Sequence, residues 1–172
     1  MKVKKCRLTK TFLALVIGVS IMAACSPSPP AKSDFNLLFR YGVGANNDLN
    51  TFSGTYTKDM INAPSITVPL LLTDEELDRI YQKMIEIDFF DYPEEFSVSL
   101  PPGGLVGMIT PHSSYYFRVE NNSVIKELRW EDKITNENNE ADNLRELIKL
   151  IRDIIESKEE YQKLPEPTGG YM

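Results

Sequence analysis

Few side chains in this sequence are equipped for chemistry, and their spacing argues against most of it. The single histidine, His112, stands in a Pro-His-Ser-Ser stretch. Histidine is the commonest general base and metal ligand, but in either role it works with partners. Ser113 and Ser114 follow it, yet neighbours along a strand point to opposite faces. No G-x-S-x-G elbow is present. His112 therefore reads as a turn histidine at the start of a strand. Carboxylates are plentiful: Asp74, Glu75, Glu76 and Asp78 open one helical stretch, Asp88 and Asp91 close it, and Glu94 and Glu95 follow. Capping and the helix dipole explain those at 74–76, and solvation the rest. No carboxylate pair of the hydrolase kind is assigned. Asn46, Asp48 and Asn50 have the alternate spacing that opens an EF-hand loop. However, Thr51 stands where that loop needs glycine and Thr57 where it needs a bidentate glutamate. Gly103 and Gly104 lack the lysine and the following helix of a phosphate loop. The expectation is a chain with no catalytic residue, no metal and no bound cofactor.

The N-terminus reads as an address. Residues 1–24 carry five basic side chains (Lys2, Lys4, Lys5, Arg7, Lys10) and no acid. An apolar run over 12–24 follows the basic segment, and Cys25 follows the run. This is the order of an export signal, and the run falls short of the roughly 20 residues a spanning helix needs. Ile21-Met22-Ala23-Ala24-Cys25 resembles a bacterial lipobox. That resemblance implies a diacylglyceryl group on the Cys25 thiol and cleavage that makes Cys25 the first residue of the exported chain. The expected location is the extracytoplasmic face of the cell membrane. Two acyl chains suffice to hold a soluble domain there, since each buried CH₂ contributes about 0.8 kcal/mol. Cys6 leaves with the signal, so the exported chain has no second thiol for an internal disulfide.

Beyond residue 24 the chain has fourteen basic and twenty-five acidic side chains, a net charge of −11. That charge excludes nucleic acid as a partner and repels an anionic leaflet, leaving the lipid as the membrane contact. Residues 25–34 form a spacer stiffened by Pro27, Pro29 and Pro30. Strands are expected over 35–44 and 51–58, joined by a polar loop, ANNDLN. Another covers 65–72, where Pro69 suggests a sheet edge. Thr73 and Glu76 form a capping box for a helix ending near Asp88. A long loop with PPGG at 101–104 precedes a hairpin, 114–120 with 123–130, turning at Asn121-Asn122. That pairing puts Tyr115, Phe117, Val119, Val124, Leu128 and Trp130 on one face. Tyr116, Arg118, Glu127 and Arg129 occupy the other. A final helix spans about 140–157, with an apolar stripe through Leu144, Leu147, Ile148, Ile151, Ile154 and Ile155. The fold class is α+β: a two-layer domain over 35–158, with two helices on one face of a roughly five-stranded antiparallel sheet. Residues 159–172 read as an extended tail outside the core.

The stretches IYQKMIEIDFFDYP, PPGGLVGMITPHSSYYF and LRELIKLIRDIIESKEEYQKLPEPTGGY are similar to a group of small uncharacterised lipoproteins from low-GC Gram-positive bacteria. The resemblance supports the lipid anchor and brings no site residues. Two segments are candidates for recognition: 101–107, with Pro101, Pro102, Gly103 and Gly104, and 164–171, with Pro165 and Pro167. Tyr116, Arg118 and Arg129 are candidates for a contact face. The leading expectation is a tethered, non-catalytic module that binds another exported or membrane protein. The alternative is a carrier of a small ligand or cation using the aromatic and acidic residues around 88–117; if those aromatics fill the core, it loses its pocket. A carboxylate-based hydrolase ranks third.

Overall fold

The computed structural model describes residues 34–100 and 102–171; the expected signal segment, Cys25, most of the spacer and Pro101 lie outside the described residues. The chain runs through β1 (Asn36–Tyr41), a 3₁₀ turn (Val43–Ala45), β2 (Asn47–Asn50), β3 (Thr55–Lys58) and β4 (Ile66–Pro69). It continues through α1 (Asp74–Glu86), a second 3₁₀ turn (Phe89–Asp91), β5 (Glu95–Phe96), β6 (Met108–Asn121), β7 (Val124–Ile134), α2 (Asn139–Glu156) and α3 (Glu159–Gln162). Among the described residues no helix is long and apolar enough to cross a membrane.

The strands form one sheet in the order β4-β3-β2-β1-β6-β7-β5. Alternation decides what each strand contributes. Leu37, Phe39 and Tyr41 of β1, Phe117 and Val119 of β6, and Leu128 and Trp130 of β7 point into one buried layer. The apolar stripes of α1 (Ile80, Met84) and α2 (Leu144, Leu147, Ile151, Ile155) join that layer. Both helices start as their sequences dictate. Thr73 and Glu76 exchange the two bonds of a capping box, and the Asn138 side chain accepts the Ala141 amide at 2.9 Å. Lys83 ties them together at their solvent edge, donating to Glu86 of α1 and to Glu146 of α2 at 2.9 and 2.7 Å.

The α+β reading holds, and its details change. The sheet has seven strands rather than about five, and it is mixed. β5 pairs parallel to β7 through Glu95↔Arg129 and Phe96↔Trp130. The ANNDLN segment is mostly strand β2, which carries a single core residue, Leu49, and uses its polar alternates on the other side. Asp48, offered by the EF-hand spacing, instead pairs with Arg40 across β1 at 2.9 Å. Pro69 lies on the edge strand β4, where its missing N–H costs no ladder bond. His112 lies within β6, beside an irregularity in the pairing between Met108 and Ser113. The 159–172 segment begins with α3, and Tyr161 and Leu164 pack against the core.

The hairpin keeps the expected faces but not the expected register. Asn121 pairs with Val124, Val119 with Lys126 and Phe117 with Leu128, so the turn is Asn122-Ser123. Both turn residues have positive φ, 50° and 65°, which is the geometry of a type I′ turn. Moving the turn by one position changes each partner by two, so each side chain keeps its face while Val124 is left exposed at the tip. Ser123→Gly relieves a left-handed serine, and we expect it to raise stability by about 0.5–1 kcal/mol in urea unfolding with an unchanged slope. Under the register read from the sequence, the same change would place glycine inside a strand and lower stability.

Candidate binding site

Most aromatic residues around 88–117 belong to the core, while Tyr92 and Phe96 also line surface concavities. Phe89 and Phe117 are fully buried with ring centroids 5.3 Å apart, and Phe96 meets Trp130 edge-on at 5.5 Å. Two concavities remain there, about 440 Å³ beside Phe96, Val98 and Trp130 and about 330 Å³ beside Asp88, Asp91 and Tyr92. Two further concavities lie elsewhere, and they differ in how their polar groups are used.

The first, about 400 Å³, lies where β6 meets the β7–α2 connection and is lined by His112, Asp132 and Arg145. Its charges are committed. Arg145 grips Asp132 with two bonds, Nε to Oδ2 at 3.1 Å and Nη2 to Oδ1 at 2.6 Å, and a third goes to Asp142. His112 Nε2 meets Glu131 Oε2 at 2.7 Å, and Ser114 Oγ donates to the same oxygen at 2.9 Å. His112 and Ser114 share a face, but the serine proton goes to the carboxylate and not to the imidazole. This arrangement does not activate a nucleophile.

The second cleft, about 220 Å³, opens beside the end of β3 and is bounded by Tyr41, Tyr56, Lys58, Arg152, Tyr161 and Glu166. Leu49↔Tyr56 pairing turns Tyr56 inward, and two residues later the same face presents Lys58. Lys58 is 3% exposed, and its ammonium has no hydrogen-bond partner among the described residues. Tyr161 of α3 lies over it, 4.7 Å from ring centroid to Nζ. Glu166 Oε1 is 3.6 Å away, beyond hydrogen-bonding distance, on a side chain that is 91% exposed. Arg152, the other cation, is spent on Glu156 at 3.0 Å and stacks over Tyr41. Lys58 therefore lines the cleft with a buried ammonium that makes no hydrogen bond and has Glu166 as its nearest carboxylate.

Tyr41 and Tyr56 supply the neutral half of the site. Their hydroxyls share one hydrogen bond at 2.7 Å. Burial pushes the Tyr41 phenol up to about 12, against the lowering effect of its bond to Tyr56, and burial raises Tyr56 further still. Both stay protonated at neutral pH. When Tyr41 donates to Tyr56, the Tyr56 proton goes to Asn47 Oδ1 at 3.4 Å. When Tyr56 donates to Tyr41, the Tyr41 proton is free for a ligand. Asn47 fixes this wall: its side chain also accepts the Asp59 amide at 3.0 Å and donates to the Tyr41 carbonyl at 3.3 Å. A Cβ at Gly42 would stand 2.9 Å from Asn47 Nδ2, so this close approach requires glycine. Asn47, Tyr56 and Lys58 were not marked by the sequence as a site. The signal available was the i,i+2 spacing of Tyr56 and Lys58 on one strand.

The expected site residues are scattered relative to this cleft. Pro167 lines it, and Pro165 is the exposed residue on the far side of Glu166. Pro102, Gly103 and Gly104 are exposed in a separate loop, held at Gly107 and Leu105 by the Asn136 side chain. Tyr116, Arg118 and Arg129 do share the open face of the sheet, where Arg129 lies 4.9 Å and Arg40 5.9 Å from the Tyr116 ring centre. Among the described residues no group of three His, Cys, Asp or Glu side chains could hold a metal ion. Comparison with family models, with curated proteins and with solved structures finds no match.

A buried ammonium with no hydrogen bond costs stability, because desolvation takes several kcal/mol from the ion while a cation–π contact returns about 2. Lys58→Met, which keeps the volume and removes the charge, is expected to stabilise the chain by about 1–3 kcal/mol in denaturant unfolding. A loss of stability would show that the ammonium contributes to folding.

Proposed function

We propose that this chain is a lipid-anchored, extracytoplasmic binding protein, not an enzyme, and that the cleft beside β3 takes a small anionic ligand. The observation carrying the reading is Lys58: a charged group, buried and without a hydrogen-bond partner, directed at a cleft that also offers phenolic donors. Such a group is retained at a cost to the fold, and functional sites are where proteins keep such costs. Small-ligand binding is therefore proposed at β3 and α3 in preference to the concavities around 88–117, whose lining holds no buried ammonium without a hydrogen-bond partner. No cation is proposed as ligand, because the free charge in the cleft is positive.

The test compares the full chain in detergent with its Lys58→Met variant. Acetate and inorganic phosphate, at matched ionic strength against chloride, are the probes. Binding to the native state raises the melting temperature by mass action. We expect at least one probe to raise it in the parent and neither to do so in Lys58→Met. Equal shifts in both proteins, or none in the parent, would overturn the reading.

The anchor rests on the lipobox-like segment alone. We expect Cys25→Ala to release the protein from the membrane fraction, since no other strong membrane contact is proposed. Full retention in that variant would refute the lipid anchor.

A second reading, contact with another exported or membrane protein, is favoured by one further observation. Leu105, Val106, Met108 and Ile109 leave a run of apolar side chains exposed at one end of the β6–β7 hairpin, next to the expected recognition segment 101–107.

A further inference from the structure

We propose that residues 163–171 are a strap that occupies the cleft in place of its ligand, with Glu166 standing in for the ligand's own carboxylate. The ligand is then a small monocarboxylate that displaces Glu166 from Lys58. This inference rests on the reading of the cleft as an anion site and adds to it the ligand class and its regulation.

Three observations carry it. Glu166 is the residue that brings an anion towards the free ammonium, and it does so without forming a hydrogen bond, at 3.6 Å, while remaining 91% exposed. The contact is therefore weak and replaceable. Pro165 and Pro167 flank it and fix φ on both sides, so the carboxylate is presented with little freedom to lose.

The strap is also docked by few bonds, near solvent. The Asn62 amide donates to the Thr168 carbonyl at 3.3 Å, and the Thr168 amide to the Met60 carbonyl at 3.4 Å. The Tyr171 hydroxyl donates to the Asp59 carboxylate, and Asn46 Nδ2 to that hydroxyl at 3.4 Å. Burial alone would raise the Asp59 carboxyl; bonds from Tyr171 and the Ile61 amide outweigh it and hold the group below its ordinary range. Gly169 sits at φ 97°, and a Cβ there would stand 2.0 Å from Asn62 Nδ2, so the strap's approach is built for glycine. Segments tied by a few exposed hydrogen bonds open at low free energy.

The third observation is stoichiometry of charge and donors. One ammonium and one available phenolic proton match the two oxygens of a single carboxylate. With Glu166 displaced, a dianion would leave an uncompensated charge beside Glu156 and Asp59, which also line the cleft.

Calorimetric titration of the full chain in detergent decides the matter, with acetate and lactate as carboxylate probes and sulfate and phosphate as comparisons. Glu166→Gln keeps the strap's shape, lies at the surface and removes the internal competitor. We expect this variant to bind acetate about three- to tenfold more tightly than the parent, because the fraction of cleft that is open rises. Lys58→Met should bind none. Equal acetate affinity in parent and Glu166→Gln, with binding lost in Lys58→Met, overturns the strap and leaves the cleft reading intact. Lys58-dependent binding of sulfate or phosphate but not of acetate overturns the carboxylate assignment. Binding that survives Lys58→Met, or no binding to parent and Glu166→Gln alike, overturns the cleft reading itself.

Discussion

Pairing of Leu49 with Tyr56 sets the register of β3, and that register leaves the Lys58 side chain no choice of face. A strand that buries Tyr56 must send the residue two positions on into the same layer. There the apolar stripes of α1 and α2 give way to the one-turn α3 and the segment after it. The corner is built around that constraint. Tyr161 places its ring over the ammonium, Arg152 turns to Glu156 instead of crowding a like charge, and the Tyr41–Tyr56 hydroxyl pair closes the inner wall.

This site differs from two other charged corners, those at Lys83 and Arg145. Lys83 is also shielded, with 15% of its side chain exposed, but it reaches two carboxylates at hydrogen-bond distance, which raise its pKa. Arg145 is held in a bidentate grip by Asp132, whose bond is the main reason its pKa is raised. In both, geometry offsets desolvation. At Lys58 the offsets are a π face, worth about 2 kcal/mol, and a carboxylate at 3.6 Å with no hydrogen bond, set against the several kcal/mol that burying an ion costs.

What was legible in the sequence was what a short-range rule decides. The Thr73–Glu76 capping box and the 3.6-residue stripes place both long helices to within a residue or two. Alternation puts Tyr116, Arg118 and Arg129 on one face even though the hairpin register is displaced, because faces depend only on parity. Three features needed tertiary information. β2 has one apolar residue, so nothing local distinguishes it from a loop until β1 and β3 lie on either side. β5 is two residues long and exists only through its parallel contact with β7. In TYTK, threonines alternate with Tyr56 and Lys58, and threonine suits either face of a sheet. The inward turn of Lys58 is invisible until its neighbours are placed, and with it the site.

An anion site on so acidic a chain is physically consistent, because the two charges act over different ranges. Beyond residue 24 the net charge of −11 slows the approach of an anion. Salt at physiological strength screens that field over about 8 Å. At the buried Lys58 ammonium itself, screening is weaker than at the surface. The acidic surroundings then act as a filter more than a barrier. On the proposed reading, a ligand with one negative charge is attracted by the ammonium, whereas each further charge meets Glu156 and Asp59, which also line the cleft. The proposed selectivity for a single carboxylate rests on the cleft's shortage of cations, and Glu166, itself a single carboxylate, stands at its mouth 3.6 Å from the ammonium.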